Sequence, residues 1–297
     1  MAKRIFVVGA GTMGAGIAQL AAQKGFETRL FDVSADQRSK AQQGIHKSLM
    51  SLLEKGKIDA AEHEAIHGRL CVVDHLNAAE SADLVIEAIV ENLSVKHEVF
   101  RSLEAIVSPT CILASNTSSL SIASISSALQ QPGRFLGIHF FNPATLMPLV
   151  EIIPSVLTND VVLNEARAMI LALGKTLAVC KDTPGFIANR IGIFSIMAIL
   201  ESMEKTGLSV DDVETLTGPI IGHPKSATFR TADVVGIDTL VHVAKGLFAH
   251  CPDDEAREQF RIPEWLQQMV NNNWLGDKSG QGFFKKTKTA SGEKEIL

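Results

Sequence analysis

An α/β fold, with a doubly wound, mostly parallel sheet followed by a second, all-helical domain, is expected of this chain on three grounds. Short apolar, β-branched runs alternate with helical stretches as far as residue 183. A glycine-rich turn joins the first such run to the first helical stretch. Beyond residue 183 the strand signals stop. Alternation of this kind favours parallel strands with helices on both faces.

Ile5-Phe6-Val7-Val8 has the unbroken apolar character of a parallel strand buried on both sides. Gly9-Ala10-Gly11-Thr12-Met13-Gly14 follows and fits G-x-G-x-x-G. Ile17, Leu20 and Ala21 then recur at helical spacing. Thr28-Arg29-Leu30-Phe31 reads as a second strand closed by Asp32, 18 residues after Gly14. Gly9 suits the tight turn, Gly11 the approach of a pyrophosphate, and Gly14 the close packing of helix on strand. Unpaired N–H groups at the helix start would face the phosphates. Strand, turn, helix, strand and acid in this register describe a dinucleotide site on a Rossmann-type sheet. Gly9, Gly11, Thr12, Met13 and Gly14 are its candidate cofactor contacts. Asp32 would accept from the adenosine ribose hydroxyls and repel a 2′-phosphate, which favours NAD over NADP. The plain alternative is a glycine turn that binds nothing.

Residues 35–69 lack strand signals and read as a helical hairpin turning near Lys55-Gly56-Lys57. Strands are expected at Leu70-Cys71-Val72-Val73, Asp83-Leu84-Val85-Ile86 and Cys111-Ile112-Leu113-Ala114, with a helix over 94–106. Phe135-Leu136-Gly137-Ile138 is a further strand ended by His139, and residues 149–153 are apolar and extended up to Pro154. A helix over 159–173 and a strand over 176–179 complete a first domain of residues 1–183. Thr183-Pro184 resembles an N-cap with proline at the first helical position, so helix is expected from Gly185 onward. Residues 184–297 form the helical second domain, whose polar, lysine-rich end over 285–297 is expected to be mobile.

The chain has 297 residues, 46% of them hydrophobic, and a net charge of −5. That balance gives no global attraction to nucleic acid or anionic membrane. The four cysteines are 40, 69 and 71 residues apart, which excludes zinc knuckles and a redox C-x-x-C. Reduced thiols and a cytoplasmic location are expected, and the first strand begins too close to Met1 for a targeting peptide. The longest apolar stretch, 187–200, contains Asn189 and Arg190 and is too short and polar to span a bilayer.

Glu151 interrupts Leu149-Val150-Glu151-Ile152-Ile153, and a carboxylate there needs a donor or cation. His139 lies twelve residues upstream at a strand end. In an open parallel sheet the C-terminal strand ends line the ligand crevice. Neighbouring ends would bring the two within reach as a general base and its orienting acid. Two unrelated residues are the alternative. Ser118, at another strand end, would bond a substrate oxygen or else cap a helix from Leu120. Asn189, in a polar pair within an apolar helix, needs partners. Lys47, Lys55 and Lys57 bracket the hairpin turn and would hold substrate phosphates or simply coat a surface helix. His63-Glu64-Ala65-Ile66-His67 matches H-E-x-x-H, but no third ligand is in view, so no metal is expected.

Several segments together resemble the L-3-hydroxyacyl-CoA dehydrogenases of fatty-acid β-oxidation, including the short-chain 3-hydroxybutyryl-CoA enzymes. They are the glycine turn continued through Ala15-Gly16-Ile17-Ala18, Ser115-Asn116-Thr117-Ser118-Ser119-Leu120, His139-Phe140-Phe141-Asn142-Pro143, Val150-Glu151 and Pro184-Gly185-Phe186-Ile187-Ala188-Asn189-Arg190. The resemblance runs from Ile5 to Phe284. It implies NAD-dependent oxidation of a (3S)-3-hydroxyacyl-CoA to the 3-oxoacyl-CoA, with His139 as base and Glu151 as its partner. Ser118 and Asn189 would hold substrate oxygens, with Lys55 and Lys57 on the CoA side. Asp32, Glu91 and Lys96 would bind the NAD ribose groups. Asn116 and Asn142 would belong to the cofactor site, Asn142 near the nicotinamide. A homodimer through the helical domain is implied too.

The chain departs from many relatives at Pro224-Lys225-Ser226-Ala227-Thr228-Phe229-Arg230, ahead of Asp233-Val234-Val235-Gly236-Ile237-Asp238. That stretch resembles the dehydrogenase portion of longer multifunctional β-oxidation proteins, so part of a larger protein is also expected. The rival readings are a dehydrogenase of a non-CoA hydroxy acid or polyol, an idle NAD-binding protein, and a metallopeptidase.

Overall fold

The computed structural model describes residues 3–288 and 294–296. The chain divides into two compact units, residues 1–186 and 187–297.

The first unit carries an eight-stranded sheet. In chain order its elements are β1 (Arg4–Val8), α1 (Thr12–Gln23), β2 (Glu27–Phe31), α2 (Ala35–Glu54), α3 (Ala60–Arg69), β3 (Leu70–Val73), β4 (Leu84–Glu87), α4 (Leu93–Ile106), β5 (Ile112–Ser115), α5 (Ile122–Ser126), β6 (Phe135–Phe140), β7 (Leu149–Pro154), α6 (Asp160–Ala172) and β8 (Thr176–Val179). Strand order is β3-β2-β1-β4-β5-β6-β7-β8. Every neighbouring pair is parallel except β6 and β7.

Successive side chains of a strand point to opposite faces, and the core follows that rule. Ile5 and Val7 of β1 join a cluster with Ile17 and Leu20 of α1, Ile45 and Leu49 of α2, and Met169 and Ile170 of α6. Phe6 and Val8 face the other way, toward Phe100 and Leu103 of α4 and Ile122 and Ile125 of α5. Both faces of the sheet are therefore covered, which explains why its strands read as unbroken apolar runs.

The expected helical hairpin is present as α2 and α3, and Gly56 takes the left-handed conformation (φ 63°) at the turn. Ser34 caps α2 by accepting from Gln37 N, and Asp59 caps α3 by accepting from Glu62 N.

The second unit holds α7 (Ala188–Thr206), α8 (Val210–Thr217), α9 (Phe229–Val235), α10 (Ile237–His250) and α11 (Glu264–Asn271). Its core includes Met197, Leu200, Phe229, Leu240, Ala244 and Leu266. It is not wholly helical: β9 (Lys286–Lys288) pairs antiparallel with β10 (Lys294–Ile296). This ribbon lies in the segment expected to be mobile, of which residues 289–293 and 297 lie outside the described residues.

The entry to α7 also differs from expectation. The helix begins at Ala188 with Ile187 as its N-cap, three residues later than Gly185. Gly185 (φ 72°) and Phe186 (φ 47°) both have left-handed backbone, which a right-handed helix cannot include. Thr183-Pro184 therefore does not start the helix. Among the described residues no helix is long and apolar enough to cross a membrane.

Candidate active site

The turn after β1 has the shape a dinucleotide needs. Gly9 (φ +103°) lies where a Cβ would come 2.5 Å from the Ala88 carbonyl oxygen, and a Cβ on Gly14 would lie 1.7 Å from that of Gly9. Gly11, by contrast, has nothing within 4 Å of its Cβ position, so the turn is open there. Gly11 is the N-cap of α1 and has no side chain to cap it, which leaves N–H groups at the helix start for a ligand. A cavity of about 540 Å³ opens beside the turn, lined by Gly9, Gly11, Asp32, Ala88, Ile89 and Val90 among others. Asp32 follows β2 and lines that cavity, accepting from Ala10 N and from Ser34 N, both at 2.8 Å. Closed packing under Gly9 and Gly14, open space over Gly11 and an acid at the ribose position fit a dinucleotide such as NAD. Thr12 and Asn142 both line a second cavity, of about 430 Å³. Buried Lys175 steadies the loop after Asn142 by donating to the Ala144 and Met147 carbonyls, both at 2.7 Å.

His139 and Glu151 meet, though not as the sequence suggested. Strand β6 continues through His139 to Phe140, and β7 runs antiparallel to it, so His139 lies directly opposite Glu151. The two do not sit on neighbouring parallel strand ends. The physical reason was legible: only eight residues, 141–148, join the strands, and a parallel pair needs a crossover of a dozen or more. His139 Nδ1 is 2.8 Å from Glu151 Oε2, with Glu151 fully buried and His139 5% exposed. Toward an ionised Glu151 the Nδ1–H is the donor, and in that tautomer of the neutral imidazole Nε2 keeps its lone pair. The Phe141 ring lies 4.6 Å from the imidazole and the Phe186 ring 5.8 Å from it, centroid to centroid. Asn116 holds the end of β6 in place, its Oδ1 accepting from Phe140 N at 2.8 Å.

A polar network joins the strand ends between these features, and its hub was missed from sequence. Glu87 closes β4 and is fully buried. It accepts from Lys96 Nζ at 2.6 Å, Ile89 N at 2.7 Å and Ser115 Oγ at 2.6 Å. Lys96 also reaches Glu91 Oε2 at 3.2 Å. Glu91 Oε1 in turn accepts from Thr117 Oγ1 and Ser118 N, both at 2.8 Å. An acid at the end of the apolar run Leu84-Val85-Ile86 is the same signal that exposed Glu151. The Lys96 ammonium, expected to meet a ribose, is 1% exposed and lies between two carboxylates of the protein. Ser118 does not cap the following helix: Thr117 Oγ1 takes Leu120 N, and Ser121 caps α5. The Ser118 hydroxyl stands 3.4 Å from Glu91 Oε1.

Burial pushes the Glu91 carboxyl up, but the Lys96 charge and the bonds from Ser118 N and Thr117 outweigh it, so the group lies below its ordinary 4.5. A depressed acid stabilises the fold above its ordinary range, and that contribution is lost as pH falls through the folded value. Urea unfolding of the wild type and Glu91→Gln should therefore differ at pH 7 and converge in acid below the ordinary value. A constant gap across pH would rule out this role for the Glu91 charge.

Asn189 is the second residue of α7, half-buried in the helix's first turn rather than enclosed in an apolar helix. Its neighbour Arg190 pairs with Asp254. Lys47 is exposed on α2, and Lys55 and Lys57 are exposed at the hairpin turn. His63 and His67 lie on α3; His63 is buried, its ring edge-on to His46 at 6.4 Å, and His67 is exposed. Among the described residues no group of three or more His, Cys, Asp or Glu side chains is arranged to hold a metal ion.

Comparison with known proteins gives a consistent picture. Residues 4–183 match the family model for the NAD binding domain of 3-hydroxyacyl-CoA dehydrogenase, and residues 185–286 match that for its C-terminal domain. A probable 3-hydroxybutyryl-CoA dehydrogenase of Bacillus subtilis is 37% identical over 95% of this chain and 96% of its own length. A probable 3-hydroxyacyl-CoA dehydrogenase of the same organism is also 37% identical over 96% of this chain, which spans only 38% of that longer relative. The crystal structure of (S)-3-hydroxybutyryl-CoA dehydrogenase PaaH1 from Ralstonia eutropha is 31% identical with a TM-score of 0.90, covering 97% of this chain and all of that one.

Proposed function

The chain belongs to the 3-hydroxyacyl-CoA dehydrogenase family, and from that premise we propose that it oxidises a (3S)-3-hydroxyacyl-CoA to the 3-oxoacyl-CoA with NAD. The buried contact of 2.8 Å between His139 Nδ1 and Glu151 carries the reading. Neutral His139 takes the substrate hydroxyl proton on Nε2, and Glu151 stabilises the imidazolium that results. When bound, NAD would supply the acceptor for the hydride, hydrogen with its electron pair, released from C3. Ser118 and Asn189 orient the substrate oxygens. The glycine turn holds the pyrophosphate, Asp32 the adenosine ribose, and Glu91, fixed by Lys96, the second ribose. Asn116 keeps the β6 end in register for Asn142 to meet the nicotinamide. In the reverse direction protonated His139 returns its proton to the 3-oxo group. Lys55 and Lys57 receive the CoA phosphates. A homodimer through the helical unit, a cytoplasmic location and a place in β-oxidation belong to the same reading.

The test follows NADH absorbance with four-, ten- and sixteen-carbon (3S)-3-hydroxyacyl-CoA substrates and with free 3-hydroxybutyrate. Turnover of at least one thioester, with none of the free acid, is expected. Turnover of the free acid alone would sink the proposal.

A further inference from the structure

Lys175 lies in the short connection between α6 and β8 and is only 7% exposed. Its Nζ donates to the Ala144 carbonyl and to the Met147 carbonyl, both at 2.7 Å. Among the described residues neither carbonyl accepts from another group, and no carboxylate pairs with the lysine. The charge that acts on it is that of another cation: burial first, and then Lys24, draw Lys175 below its ordinary 10.5. A buried cation without an acid is costly, so the two carbonyls are what hold it. Both belong to the link 141–148 between β6 and β7. Leu146 N and Met147 N turn back onto the Pro143 carbonyl, both at 2.9 Å. Asn116 anchors the chain ahead of the link through Phe140 N, and Thr176 N closes its far end on the Pro148 carbonyl at 2.8 Å. Ala144 is 3% exposed, and its Cβ lies 3.4 Å from where one on Gly16 of α1 would stand. Asn142, two residues before Ala144, lines the same cavity as Gly11 and Thr12 of the glycine turn.

We propose that Lys175 is a positioning residue for the nicotinamide half of the dinucleotide. One ammonium gathers two carbonyls of the link, and Asn142 is thereby kept on the wall of the cavity that it shares with Gly11 and Thr12. The inference rests on the dinucleotide reading above and on the place of Asn142 in it. The contacts join residues 31 and 28 positions apart, so no local turn chemistry replaces them. Hydrogen bonds from a charged donor are roughly twice as strong as neutral ones. Without them the middle of the link keeps only its two bonds to the Pro143 carbonyl. The adenosine half depends on other elements. The glycine turn and Asp32 are built on β1, α1 and β2, none of which supplies a partner to the Lys175 Nζ. Loss of Lys175 therefore acts on one half of the ligand and spares the other.

The experiment uses the full chain and calorimetric titration with NADH and with ADP-ribose, which keeps the adenosine, the pyrophosphate and the second ribose but lacks the nicotinamide. It does not depend on turnover. The wild type should bind NADH more tightly than ADP-ribose. Lys175→Met should weaken NADH about tenfold, the loss of a charge-assisted contact, and ADP-ribose by less than about twofold. On an Asn142→Ala background the same substitution should cost NADH less than about twofold, because a residue that acts through Asn142 has nothing left to place. Lys175→Gln, which keeps an N–H donor without the charge, serves the same comparison if Lys175→Met folds poorly. The proposal is overturned if the wild type binds both ligands alike, if both weaken in parallel in the Lys175 variants, if NADH binding is unchanged there, or if the Lys175 and Asn142 substitutions prove additive. A wild type that binds neither ligand would instead bring down the dinucleotide reading itself.

Discussion

Replacing His139 by Gln lowers kcat on a (3S)-3-hydroxyacyl-CoA by about 10²–10⁴-fold. Gln can still donate toward Glu151, so the strand pairing of β6 and β7 and the cover given by Phe141 and Phe186 persist. What it lacks is an atom able to take the hydroxyl proton and hold it as a cation. The glycine turn and Asp32 are built on β1, β2 and α1, elements that the substitution leaves untouched. NAD affinity should therefore barely change, and KM for the thioester should change less than kcat. Steady-state NADH kinetics together with an NAD titration check this. Wild-type turnover in the variant would remove His139 from the mechanism, and a parallel fall in NAD affinity would point to a structural lesion instead.

Lys96→Met should destabilise the first unit by about 3–5 kcal/mol. The methionine fills most of the lysine's volume, so the loss is electrostatic rather than a cavity. Glu87, fully buried, would be left with only Ser115 and the Ile89 N–H to hold it. Glu91 would lose the cation that sets its carboxylate against Thr117 and Ser118. The double variant Lys96→Met/Glu87→Leu should recover much of the stability, because replacing a whole buried pair by apolar groups is far milder than orphaning one partner. Catalysis should not recover with it, since Glu91 and the Ser118 loop remain unanchored. Urea unfolding and NADH kinetics on the three proteins separate the two effects. If the single and double variants were equally stable, the buried charge of Glu87 would not be the cause.

The outcome for Asp32 and that for Glu151 differ in how legible they were. Asp32 is held by spacing within one continuous segment, so its place beside the glycine turn follows from local chain geometry. Glu151 was visible as a charge among apolar neighbours, yet its route to His139 was misjudged because the strand direction was read from the sheet's general habit. The short link 141–148 decides that direction. Glu87 shows the same signal as Glu151 and was passed over. Its partners Lys96 and Ser115 are 9 and 28 residues away and reach it only once β4, α4 and β5 are assembled.

Periodicity, glycine spacing and a charge within an apolar run suffice for the doubly wound sheet, the helical hairpin, the glycine turn and the choice of His139 and Glu151 as candidates. These are local properties: the pattern of burial along each element and the backbone freedom of single residues dictate them. The antiparallel β6–β7 pair, the inward turn of Lys96 and the left-handed step at Gly185 and Phe186 arise only in the folded molecule. The strand pair and the Lys96 contacts depend on groups from different elements competing for the same buried donors and acceptors, and packing, not pattern, settles that competition.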